Sequence, residues 1–234
     1  DCTYAEHNTA VGAEALHKLN GNASSYGSYN VAVGHRAGYA LTTASKNVLI
    51  GDHAGAVLTT SWGNIIIGYQ NGYQLKSGTG SNVLIGSNNI VASGNSTAYY
   101  CNCIGYNAGR TLSTGYKNDL IGFNCGYAIT SGHNNCGYGA ECLRLLTTGT
   151  YNTCLGSYSG YYLSTGGHNT FIGVQAGNTH KTGSSNVCIG HNAGYYDQTC
   201  SRSIFIGRHS GCASNTGTGT GYGEGGKDDQ LFIN

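Results

Sequence analysis

The chain has 234 residues, of which 40 are Gly and 10 are Cys; it has no Pro or Met, and 9% of residues are charged. A formal net charge of +1 supplies no field to steer the chain toward nucleic acid or an anionic membrane. Its apolar runs are as short as the "III" of "NIIIG" at 64–68, so no membrane span or membrane insertion is expected.

In chain order, a short apolar run ending in Gly recurs at Gly12, Gly34, Gly51, Gly68, Gly86, Gly105, Gly122, Gly139, Gly156, Gly173, Gly190 and Gly207. The spacing settles at 17 residues from Gly105 to Gly207, too short for a helical-hairpin repeat. Four residues before this Gly stands Asn, from Asn8 and Asn30 through to Asn186, with Cys101 and Ser203 as the exceptions. Four residues after it a second Gly is usual, as in "DHAG" and "YNAG". Leu or Ile follows as in "GYAL" and "GYAI", then Ser or Thr as in "TTG" and "STG".

Each unit therefore predicts a strand, a Gly corner, a second strand and a Thr-Gly corner, with strands of about five residues. Coils stacked ~4.8 Å apart place equal positions in ladders, and stacked Asn can pass amide hydrogen bonds from coil to coil. No sustained 3.6-residue apolar period supports a helix. The expected fold is an all-β parallel solenoid of about twelve 17-residue coils. It would fill residues 1–211, followed by a Gly-rich closing segment at 212–234 that leads to a downstream domain outside this sequence. The start at Asp1 suggests a processed product or an excerpt.

The units "NTAVGAEAL", "NVAVGHRAGYALTT" and "NTCLGSYSGYYLSTGGHNTFIGVQAG" resemble the repeats of viral and bacteriophage tail-fibre proteins. They are also similar to the head repeats of trimeric autotransporter adhesins. The resemblance covers Asn8 to Gly211, and "GGKDDQLFIN" is similar to the segment closing such repeat blocks in fibre proteins. It implies a left-handed β-roll, a homotrimer, a place on the virion surface or outside the cell, and host attachment through a cell-surface glycan or protein. An end-to-end extracellular filament is the alternative, because an uncapped solenoid offers strand edges. Ice binding is a lesser one: the Thr43, Thr60, Thr114, Thr148 column is a single file before a turn and reads better as a corner ladder.

The expectation for chemistry is a non-enzyme without cofactor or metal. Glycoside cleavage needs two carboxyls about 5–9 Å apart, and Glu14 and Glu141, which share a column, lie seven coils from each other. His35 and His191 follow the Gly directly and His53 and His209 come one residue later; they read as surface side chains at variable positions. "GEGGKDD" at 223–229 reads as a solvated loop. No Cys-x-x-Cys pair is present. Cys103, Cys154 and Cys188 replace Leu or Ile, and Cys125 and Cys142 replace Ala, so mostly free core thiols are expected, with Cys125–Cys142 as the one pair placed to bridge. Asn22 and Asn95 head glycosylation sequons in over-long units.

Two further expectations concern surfaces. Receptor contact falls on variable corner residues, with Arg36, His53, Trp62, Tyr116 and Tyr151 as candidates, since aromatic and Arg side chains dominate recognition. Both faces of the strand are apolar, and one narrow coil can bury only one. The other face predicts a homotrimer with Leu49, Ile66, Leu84, Leu120, Phe171 and Phe205, or the neighbouring Ile column, at the axis.

Overall fold

The computed structural model describes residues 5–20, 27–76, 80–91, 96–196, 198–211 and 231–233. Asn22 and Asn95 lie outside the described residues, as does 212–230 of the closing segment. Described residues contain no helix. They form two compact units, Asp1–Lys117 and Asn118–Asn234.

In the first unit six strands stack parallel in chain order: β1 (Thr9–Val11), β2 (Val31–Val33), β3 (Val48–Ile50), β4 (Ile65–Ile67), β5 (Val83–Ser87) and β6 (Asn102–Tyr106). In the second, seven do so: β7 (Asp119–Ile121), β8 (Cys136–Tyr138), β9 (Thr153–Leu155), β10 (Thr170–Ile172), β11 (Val187–Ile189), β12 (Ile204–Ile206) and β13 (Leu231–Ile233). The fold is a parallel β-solenoid. Its register repeats the sequence repeat: Leu49 pairs with Ile66, and Phe171 with Cys188. The last strand carries this past the final Gly unit, as Phe232 pairs with Phe205 and the two rings stack at 5.5 Å.

The coil differs from the sequence expectation in having one strand rather than two. Most strands are three residues long; β5 and β6 reach five. After the Gly the chain runs through successive turns, because His53 and Gly55 both take left-handed angles, φ +57° each. Bonds such as Leu58 N–H to Gly55 O, 3.1 Å, close these turns locally. The limb still bonds to both neighbouring coils: His53 N–H donates to His35 O and Gly55 N–H to Asn71 O, each at 2.9 Å.

The middle residue of each strand points inward. Leu49, Ile66, Leu84, Leu120, Phe171 and Phe205 are fully buried within their own coils. That removes this column as an intermolecular axis: it already forms the core, together with the equally buried Ala54 and Leu58 of the turning limb or their equivalents. Cys103, Cys154 and Cys188 occupy the same interior column, as free-thiol hydrophobes do. Cys125 and Cys142 are also buried free thiols, donating to the carbonyls of Gly137 at 3.1 Å and Cys154 at 3.2 Å.

A second buried element runs beside this core. In the first unit Asn30, Asn47, Asn64 and Asn82 form a continuous ladder, each Nδ2 donating to the Oδ1 one coil back at 3.0–3.1 Å. In the second, Asn135, Asn152, Asn169 and Asn186 do the same from Asn118 onward, at 3.0 Å. The exceptions fit the ladder through the backbone, since Cys101 N–H and Ser203 N–H take the next Oδ1, each at 3.0 Å. The hydroxyl ladder expected of the Thr43 column lies one residue earlier: Thr42 Oγ1 donates to Thr59 O at 3.1 Å, and Thr147 Oγ1 to Ser164 O at 3.0 Å.

Candidate functional site

Polar and charged side chains gather at one corner of the first unit, where β2 and β3 end. His35 is the residue after one repeat Gly; Asp52 holds the same place one coil later, and His53 follows it. Asp52 Oδ1 stands 2.8 Å from His35 Nδ1 and 2.9 Å from His53 Nδ1. The two imidazoles meet edge to face, with centroids 5.1 Å apart. The hydrogen bonds from His35 and then His53 hold the Asp52 carboxyl below its ordinary range.

Arg36 joins this corner. Its Nε donates to Glu14 Oε2 at 2.6 Å and its guanidinium lies over the Tyr39 ring at 5.4 Å. The bond lowers the Glu14 carboxyl pKa and raises that of Arg36. Arg36 and His53, proposed from sequence as contact residues, thus occupy one column on successive coils, and each already has a carboxylate partner.

The other three candidates are not gathered there. Trp62 belongs to the corner before the strand; it bridges to Gly80 and is 57% exposed. Tyr116 occupies the equivalent column of the same unit, stacked on Tyr99 with centroids at 5.0 Å. Tyr151, in the second unit, is exposed and stacks on His168 at 4.9 Å. Within the first unit, then, the candidates divide between two corners, Arg36 and His53 after the strand and Trp62 and Tyr116 before it.

Matched against protein-family models, curated proteins and solved structures, the chain finds no counterpart.

The His35–Asp52–His53 cluster is not visible from the His spacing, because no two histidines share a column on adjacent coils. Its signal was present: an acid in the column of His35 one coil on, followed at once by another His. His180 differs from these corner histidines. It stands seven after its Gly, where other coils carry Leu or Ile, and is fully buried, with Nε2 3.2 Å from Cys200 Sγ. There the coil interior overrides the usual exposure of His.

Proposed function

We propose that the chain is a structural repeat segment of a virus or phage fibre. In this reading it assembles as a homotrimer through the outer face of its strands and offers corner side chains to a host surface. The observation that supports it is the character of that face. The column just before each repeat Gly carries Ile50 and Ile85 in the first unit, and Ile121 and Ile189 in the second, each 36–37% exposed. The column two residues earlier adds Ile65 and Ile204. Partly exposed Ile repeated coil after coil is the kind of surface that marks an interaction site.

A strip of one repeated apolar residue fits a second copy of itself. A closed ring would bury it on every copy, whereas an open pairing would leave one strip wet. The choice of three comes from the fibre resemblance. The buried Leu column is excluded, so the Ile column is the axial candidate.

Light scattering of the full chain tests this. Three times the chain mass is expected, and Ile50→Asp with Ile85→Asp is expected to give folded monomers with an unchanged circular-dichroism spectrum. A monomeric wild-type chain overturns the reading. Mass that keeps rising with concentration favours the end-to-end filament instead. Attachment has its own readout: Trp62→Ser with Tyr151→Ser should weaken adsorption to host cells, and undiminished adsorption removes these residues from the contact surface.

A further inference from the structure

We infer that His35, Asp52 and His53 bind one divalent transition-metal ion, through one nitrogen of each imidazole and one carboxylate oxygen of Asp52. The inference is independent of the fibre reading.

The first ground is geometry. One donor atom from each side chain lies within 4.8 Å of the others, the only such set of three or more metal-ligating groups among the described residues. Ligand atoms bound at about 2.0–2.1 Å to a tetrahedral ion stand roughly 3.4 Å apart, so the His–Asp separations of 2.8 and 2.9 Å have only to open by about half an ångström to admit the ion. The two imidazole nitrogens lie within 4.8 Å of each other, so small side-chain rotations complete the adjustment. The backbone beneath is held, since His53 N–H donates to His35 O and Gln70 N–H to Asp52 O, each at 2.9 Å.

The second ground is chemistry. Two imidazoles and one carboxylate suit Zn²⁺, Co²⁺ or Ni²⁺ better than Ca²⁺ or Mg²⁺, which prefer all-oxygen shells. Arg36, the residue after His35, is ion-paired to Glu14 at 2.6 Å, so its charge is largely offset. The His35 and Asp52 side chains are more than 40% exposed, leaving a coordination position open to water.

The repeat supplies an internal comparison. In the second unit His191 and His209 occupy the places of His35 and His53 and pack in the same way, edge to face at 5.4 Å. The place of Asp52 is taken there by Arg208. An Arg at that place supplies no ligand and brings a positive charge, so of these two corners only the one in the first unit forms a site.

Co²⁺ titration of the full, reduced chain followed by absorption spectroscopy tests this. One equivalent is expected, giving visible d–d bands without the near-ultraviolet sulfur-to-cobalt charge transfer that Cys ligation produces. His35→Ala, Asp52→Asn and His53→Asn should each weaken binding at least about tenfold, as disturbing metal-site partners does; Asn suits the left-handed angle at 53. Arg208→Asp should add a second equivalent. Absence of binding, thiolate bands, affinity unchanged in the three variants, or a stoichiometry that stays at one in Arg208→Asp each overturns the assignment.

Discussion

Leu143 fills the space that a side chain on Gly137 would need: its Cδ1 lies 3.2 Å from where a Cβ at 137 would stand. Gly137 occupies the inward strand position held by Leu, Ile, Phe or Cys in neighbouring coils. Leu143 occupies the position four after the repeat Gly, where most coils have a second Gly. Two departures from the repeat therefore cancel within one coil. Leu143 accepts a left-handed φ of +52° to do so. Leu143→Gly should leave a cavity and destabilise by about 2–5 kcal/mol, although it relieves that backbone angle. Gly137→Leu alone should overpack against Leu143 and the Cys125 sulfur, costing about 1–3 kcal/mol. The double variant should recover most of both losses, and the measure is the coupling energy from urea unfolding. Simple additivity would show that the two residues do not share the space.

Asn152 is joined to its ladder by four side-chain bonds. Its Nδ2 donates to Asn135 Oδ1 at 3.0 Å and to Gly166 O at 2.9 Å. Its Oδ1 accepts from Asn169 N–H at 3.1 Å and Asn169 Nδ2 at 3.0 Å. Asn152→Leu keeps the volume but strands these buried partners, each costing about 1–3 kcal/mol. A loss of at least about 3 kcal/mol is expected, read from the denaturant midpoint at unchanged slope. A midpoint within error of wild type would mean that the ladder contributes order and little stability.

Gly122 takes φ +140°, and a Cβ there would lie 2.7 Å from the carbonyl carbon of Gly139, which is backbone and cannot rotate away. Gly122→Val combines backbone strain with this clash, so the loss should exceed about 4 kcal/mol and leave little folded protein. Gly122→Ala meets the same obstacle and should be nearly as harmful. A cooperative melt like that of wild type in either variant would refute the close approach.

The Cys142 thiol is buried, and burial pushes its pKa well up, with the Cys125 and Cys154 neighbours acting in the same direction. The fold thus favours the neutral thiol. Its contribution to stability is full below the unfolded thiol value, about 8.5, and declines as pH rises above it. Unfolding midpoints at pH 7 and pH 10 should differ in that sense, with a smaller difference in Cys142→Ala. Native protein should leave Cys125 and Cys142 unalkylated by iodoacetamide, and denaturant should expose both as free thiols in the mass spectrum. A Cys125–Cys142 disulfide found in the native protein would contradict the arrangement.

The repeat itself was legible in the sequence. A Gly every 17 residues, an Asn four places earlier and apolar residues between them determined parallel coils, the stacking register and the buried amide ladder. These follow from local spacing, because identical units placed one above another must align equal residues. The Cys positions were legible for the same reason: a Cys in a column of Leu or Ala shares that column's interior.

What the sequence left open was decided by how each coil closes. Val48, Leu49 and Ile50 are all apolar, and a period of two cannot say which face is inside when both faces are suited to it. The left-handed turns through His53 and Gly55 bend the chain to one side of the strand, which buries Leu49 and leaves Ile50 outside. The same turns replaced the expected second strand, since repeated positive φ angles break extended backbone. Corner side chains also met only in three dimensions. His35 and Asp52 are 17 residues apart in the chain, and only stacking of their coils brings the imidazole nitrogen to 2.8 Å from the carboxylate.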